Sequence, residues 1–222
     1  MEISRGSFPL RATKIDEINR KDHYYIVEED QCFFIGEYTS RKGFQHSQTN
    51  QLVLNLKKGM DRRGRPEWRY KQEAIEKAGR TLGAVLSQNA LDNFTFVPVP
   101  PSKAKSDSLY DDRMVQVVRH IRAGRPVDGR ELILQHTSTE PAHDRDQRPT
   151  PEDIAALYEI NEQFVSQPRH PVALIIVDDV LTTGAHFKAT QAVLKKQFPE
   201  VPIFGLFVAR RAIDDVHFEE LQ

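Results

Sequence analysis

Six apolar residues in succession, at positions 172–177, run directly into Asp178 and Asp179, and Thr182, Thr183 and Gly184 follow before a helical pattern begins. A strand with one wet face alternates apolar and polar residues, so an unbroken run of this kind marks a strand buried on both sides, as at the centre of a parallel sheet. Parallel strands need crossover connections, normally helices, and the chain supplies them. Residues 94–99 read as a buried strand stopped by Pro98, Pro100 and Pro101, since proline donates no ladder hydrogen bond. Met114, Val117, Val118 and Ile121 mark a helix, 131–135 a short strand, 185–197 a helix and 203–208 a final strand. Thr150, with Pro151 and Asp153 behind it, carries the signature of a capped helix start. Upstream, Ile75, Ala78, Leu82, Val85 and Leu86 recur at spacings of three and four, one face of a helix within 67–90. The expectation is an α/β fold with a central parallel sheet flanked by helices, its ligand at the carboxyl ends of the strands.

The first 50 residues read differently. Residues 1–23 are polar and aperiodic, an arm; 24–27 and 32–38 are aromatic and β-branched, separated by Glu28, Glu29 and Asp30, which suggests a hairpin. Residues 1–50 are thus expected to form an arm and a small β appendage, and 51–222 the main domain. Leu52, Leu54 and Leu56 alternate ahead of Gly59, which leaves helix and strand both open for 51–58. With 31 Lys and Arg against 32 Asp and Glu, the chain has no bulk positive charge to make nucleic acid its main ligand. The basic run at 57–71 reads as a solvated face, and Asp111 and Asp112 as residues favouring a helix dipole. Cys32 is the only cysteine, which rules out an internal disulfide or a multi-cysteine zinc site and fits a reducing compartment. No segment approaches the ~18 apolar residues of a membrane span; a cytoplasmic protein that is not exported is expected. Neither a Gly-x-x-x-x-Gly-Lys phosphate loop nor a dinucleotide fingerprint occurs.

The chemistry gathers at the end of the 172–177 strand. A helix N-terminus presents backbone N–H groups and the positive end of its dipole to an anion. Thr182 and Thr183 add hydroxyls there, and Gly184 lets the backbone close around a phosphate. Two adjacent carboxylates at a buried strand end need donors or a cation facing them, such as ribose hydroxyls or hydrated Mg²⁺. Phosphate together with a diol or metal is the expected ligand.

This segment, an apolar strand followed by Asp178-Asp179, two variable positions, Thr182-Thr183-Gly184 and Ala185, resembles the signature with which type I phosphoribosyltransferases bind phosphoribosyl pyrophosphate (PRPP). The resemblance implies that Asp178 and Asp179 address the ribose 2′ and 3′ hydroxyls at the catalytic centre, meeting Mg²⁺ through water or those hydroxyls. It implies that Leu181, Thr182, Thr183, Gly184 and Ala185 wrap the 5′-phosphate. His186 stands where the family often has Ser or Thr, and is carried as a further phosphate contact. The stretch Phe96-Val97-Pro98-Val99-Pro100-Pro101-Ser102-Lys103 is similar to the ComF-type, competence-associated branch, as is Asn55-Leu56-Lys57-Lys58-Gly59 ahead of a long helix. On that likeness Ser102 and Lys103 contact pyrophosphate. The four-cysteine zinc module usual in that branch cannot exist here.

The resemblance thus implies a phosphoribosyltransferase of nucleotide metabolism, taking PRPP or another ribose 5-phosphate compound with Mg²⁺ and releasing pyrophosphate as a nitrogenous acceptor adds. The polar loop at 136–149 is the candidate closing element, with Arg145 and Arg148 its candidate contacts. A non-catalytic PRPP or nucleotide sensor is the competing class, and a ComF-like adaptor in DNA uptake or processing a third. A homodimer is the assembly to expect if the chain assembles.

Overall fold

The computed structural model describes residues 11–139, 149–165 and 169–213. Among them the main sheet has six strands in the order β1 (Thr13–Lys14), β2 (Gln31–Thr39), β8 (Ile203–Ala212), β7 (Leu174–Leu181), β3 (Thr95–Pro98) and β4 (Asp128–Gly129). All neighbours are parallel except β1, which joins the β2 edge antiparallel. A second, two-stranded antiparallel sheet pairs β5 (Ile133–Gln135) with β6 (Tyr158–Ile160). The mostly parallel sheet flanked by helices is as the apolar run at 172–177 predicts.

The strands alternate between two cores. Val97, Leu174, Ile176 and Phe207 face one side, with α7 (Ala185–Gln197) and α6 (Pro151–Ala155) over them. Phe96, Ile175, Val177, Leu206 and Val208 face the other, covered by α2 (Gln48–Leu56), α3 (Trp68–Ala84) and α5 (Arg113–Arg119). Burial on both faces is the physical reason for the unbroken apolar stretch, residues 174–177, with which β7 begins. Gly83 lets α3 meet the end of α5: a Cβ there would stand 1.8 Å from the Ile121 carbonyl oxygen. Thr150 caps α6 with the expected reciprocal contact from Asp153.

Residues 51–56, open between helix and strand in the sequence, belong to helix α2, which Ser47 caps by accepting from the Asn50 N–H; the leucine alternation is not a strand. The helical stretch at 67–90 is two helices, α3 and α4 (Gln88–Asn93), because Ser87 starts a new cap. The expected N-terminal hairpin does not form. Residues 24–27 form no strand, and β2 is an internal strand of the main sheet, paired along its length with β8. Aromatic and β-branched residues mark β2 as a strand, but its partner lies some 170 positions away in sequence, beyond what local pattern encodes. The short helix α1 (Glu17–Arg20) lies between β1 and the 24–27 segment.

Candidate functional site

The chain leaves β3 through α5 toward β4, on one face of the sheet, and leaves β7 through α7 toward β8, on the other. Between β3 and β7 the connections therefore diverge, which opens a crevice at the strands' carboxyl ends where α/β proteins place ligands. β3 pairs with β7 only as far as Pro98 opposite Val177. β7 continues alone on that side through Asp178 and Asp179, still paired with β8. The two aspartates thus lie within the strand, at the crevice.

Consecutive strand residues point to opposite faces, and the pair divides accordingly. Asp179 is 3 % exposed and faces the α3 and α5 side. Its Oδ2 accepts from Arg113 Nη2 at 2.8 Å and Nε at 3.1 Å, and Lys57 Nζ lies 3.3 Å from Oδ1. Burial alone would raise the Asp179 pKa, but the charges of Lys57 and Arg113 outweigh it and hold the carboxyl below the usual carboxylate range. Asp178 is half-buried and accepts the Asp179 N–H at 2.7 Å. Burial, then the neighbouring Asp179 charge, push its pKa up to about 7. One of the pair is a fixed anion neutralised by two cations; the other holds or releases a proton near neutrality.

Arg113 is part of a longer network. Its Nη1 donates to Asp111 Oδ2 at 2.9 Å, and Lys71 Nζ donates to the same oxygen at 2.7 Å. Lys71, 1 % exposed, also donates to the carbonyls of Leu56 and Lys58 at 2.9 and 2.7 Å. These are carbonyls at the C-terminal end of α2, which lack intrahelical partners. Lys71 thereby anchors the segment from which Lys57 reaches Asp179. Asp111, expected to act on a helix dipole, instead joins Lys71 to Arg113. Neither Lys71 nor Arg113 stands out in the sequence as a site residue. One signal is present for Lys71: it occupies the apolar stripe of α3, in register with Ala74, Ile75, Ala78 and Leu82.

The turn from Leu181 to Ala185 joins β7 to α7. Gly184 adopts φ +89°, a conformation that glycine takes at little cost, and a Cβ there would meet Ile26 Cδ1 at 2.7 Å. The N-terminal arm closes on this turn. His23 Nδ1 bonds the Thr182 carbonyl, and the Tyr25 N–H donates to the Thr183 carbonyl at 2.8 Å. A carbonyl only accepts, so Nδ1 carries a ring proton; burial lowers the His23 pKa and favours the neutral ring, whose Nε2 is buried without a partner among the described residues. In a trans peptide the C=O and the following N–H point opposite ways. With the Thr182 and Thr183 carbonyls held toward the arm, the N–H groups of Thr183 and Gly184 point away from it. They join the first amides of α7 as donors for an anion. Thr183 Oγ1 lies 3.4 Å from the Ala185 N–H. His186, exposed, places Nδ1 3.1 Å from the Tyr158 hydroxyl.

The loop after β3 is tied to the end of β5. The Ser102 carbonyl accepts from Gln135 Nε2 at 2.6 Å and from the Thr139 N–H at 2.9 Å, while Ser138 bridges the Ala104 N–H and Asp107. The Ser102 backbone is therefore engaged in holding the loop, and its residue is exposed. Lys103 sits near Asp107, whose carboxyl is held below its usual range by hydrogen bonds from the Leu109 N–H and Ser138 and by the Lys103 charge. Arg145 and Arg148 lie outside the described residues.

Among the described residues no three His, Cys, Asp or Glu side chains are grouped to hold a metal ion. Asp179, bonded to two cations, is a poor ligand; Asp178, with no cation paired to it among the described residues, is the member able to face one. No model of a known protein family matches the chain, and none of the curated proteins compared matches it significantly.

Proposed function

We propose that the chain is a type I phosphoribosyltransferase-like protein that binds PRPP with Mg²⁺ and transfers its phosphoribosyl group to a nitrogenous acceptor, releasing pyrophosphate. The observation that carries this reading is the Leu181–Ala185 turn. It is a cradle of backbone N–H groups around a left-handed Gly184, opening α7 at the carboxyl end of a central parallel strand, with Asp178 beside it. The 5′-phosphate sits on the Thr183 and Gly184 amides and the Thr182 and Thr183 hydroxyls. Ionised Asp178 accepts a ribose hydroxyl. Asp179 serves as a positioning residue, holding Lys57 and Arg113 at the crevice, where they stabilise charge on the departing pyrophosphate. Asp178 would face Mg²⁺ through water or the ribose hydroxyls, and the ion would supply further neutralisation of that charge. The bond from the anomeric carbon to the pyrophosphate oxygen breaks, the leaving group keeps the electron pair, and the acceptor nitrogen adds to the carbon.

Calorimetric titration with PRPP and Mg²⁺ is expected to give saturable heat that Asp178→Asn with Asp179→Asn removes. Pyrophosphate release is expected to depend on one member of a panel of purines, pyrimidines and small amines. No binding to folded protein at millimolar PRPP rejects the reading. The closure of both Asp179 oxygens by internal cations favours a second one, a PRPP sensor without transfer. Binding that no acceptor converts into pyrophosphate release would select it.

A further inference from the structure

On the α3 and α5 side of the sheet, the ion pair of buried Lys71 and half-buried Asp111 also lines a cleft of about 450 Å³. That size falls within the ~300–1,000 Å³ of small-molecule sites. Trp68 and Tyr110 are the aromatic residues of its lining, and Arg63, Asp112, Gln72 and Gln116 are polar ones. Its charges cancel in kind, Arg63 and Lys71 against Asp111 and Asp112. Lys71 is moreover bonded to Asp111 at 2.7 Å, and Asp111 also accepts from Arg113. A phosphorylated or otherwise strongly charged occupant has no complementary excess here. Among the described residues Asp112 receives one side-chain hydrogen bond, from Gln116 Nε2 at 2.6 Å to Oδ1, so its carboxylate retains capacity for an amino donor. The Gln72 and Arg63 side chains, both exposed, offer N–H groups to ring nitrogens.

We infer that this cleft binds a neutral, planar nitrogen heterocycle bearing an amino group, and that its occupancy is coupled to the Asp178 and Asp179 site. The link is short and charged throughout: the cleft's Asp111 shares Arg113 with Asp179, at 2.9 and 2.8 Å. A ligand that draws on the Asp111 and Asp112 wall changes how Arg113 is divided between Asp111 and Asp179, and hence the charge facing the crevice. The binding claim rests on the cleft's own residues. Only the coupling rests on the reading of the turn as a PRPP site.

Trp68 is the chain's single tryptophan, so its fluorescence reports on this cleft without labels. Titration with adenine is expected to quench it saturably. The midpoint should move at least about tenfold higher for purine, which lacks the amino group, and for the Asp112→Asn variant, as loss of one hydrogen bond to a charged group requires. Gln72→Ala, an exposed change on the helix surface, should weaken adenine binding less. Saturating PRPP with Mg²⁺ should shift the adenine midpoint by roughly threefold or more, and adenine should shift the PRPP midpoint by the same factor, because linkage is reciprocal. Quenching that rises linearly, as for free tryptophan, overturns the site. Equal binding of adenine and purine overturns the recognition of the amine. Unshifted midpoints in protein that calorimetry shows to bind PRPP overturn the coupling. Saturable adenine binding in protein that does not bind PRPP leaves the cleft standing and rejects the PRPP reading instead.

Discussion

Lys71 and Asp178 are the two residues at which burial has the clearest consequences. Lys71 places an ammonium among apolar side chains, and burial lowers its pKa against the opposing charge of Asp111. It is tolerated because three oxygens, from Leu56, Lys58 and Asp111, satisfy it. Lys71→Met removes those bonds and leaves Asp111 with Arg113 alone. An expected loss of about 3 kcal/mol should appear as a lower urea midpoint at unchanged slope, and Lys57 should lose its hold on Asp179. A surface-like effect within about 0.5 kcal/mol would show the network to be dispensable. Asp178 is the opposite case, an acid whose folded pKa of about 7 lies above its ordinary value. Because the folded state binds this proton more tightly, its contribution favours folding at low pH and is lost as pH rises toward 7. Ligand binding through the carboxylate runs the other way. PRPP affinity should strengthen as pH climbs through about 7, beyond the change contributed by PRPP's own phosphates. Those are read from Asp178→Asn, in which the protein's share disappears. Identical pH profiles for the two proteins would remove Asp178 from the ribose contact.

At the level of elements, the β7–α7 turn is shaped as much by the N-terminal arm as by its own sequence. Two of its carbonyls are held by His23 and Tyr25, and Ile26 packs where any side chain on Gly184 would lie. Gly184→Ala therefore meets two separate obstacles. One is the left-handed backbone, about 1–2 kcal/mol for an L-residue; the other is the contact with Ile26. Adding Ile26→Ala should recover part of the lost thermal stability but not the part due to φ. A double variant no more stable than Gly184→Ala would mean that Ile26 yields freely and the backbone carries the whole cost. His23→Ala should leave the sheet intact while weakening PRPP binding roughly tenfold, about the value of one well-placed hydrogen bond. The measurement is calorimetry on protein with unchanged circular dichroism.

Over the whole molecule, the decisive arrangement is β2 lying between β1 and β8, so that the first 50 residues supply two strands of the main sheet. Cys32 on β2 has no solvent exposure, and burial, then the Asp30 charge, push its thiol well up. Were β2 part of a loosely attached hairpin, a thiol reagent would reach Cys32 by local opening. As a sheet strand it should react only when the molecule unfolds, so the labelling free energy should equal that of global unfolding by urea. Labelling markedly faster than this would show that β2 detaches independently. Much of this architecture is legible locally: the apolar run at 172–177, the cap at Thr150 and the start of α7 at Ala185 depend on residues within a few positions of one another. The turn around Gly184 is legible for the same reason, because strand end, glycine and helix start are neighbours in the chain. The partner of β2, the arm over the turn, and the route from Lys71 through Asp111 and Arg113 to Asp179 are not. Each joins residues roughly 40 to 170 positions apart. Residue order was therefore enough for most of the elements and for the turn between β7 and α7, whereas the parting of Asp178 from Asp179 belongs to the folded sheet. One turns toward two cations and the other toward the opposite face of the sheet, because adjacent residues of a strand buried on both faces must enter different surroundings.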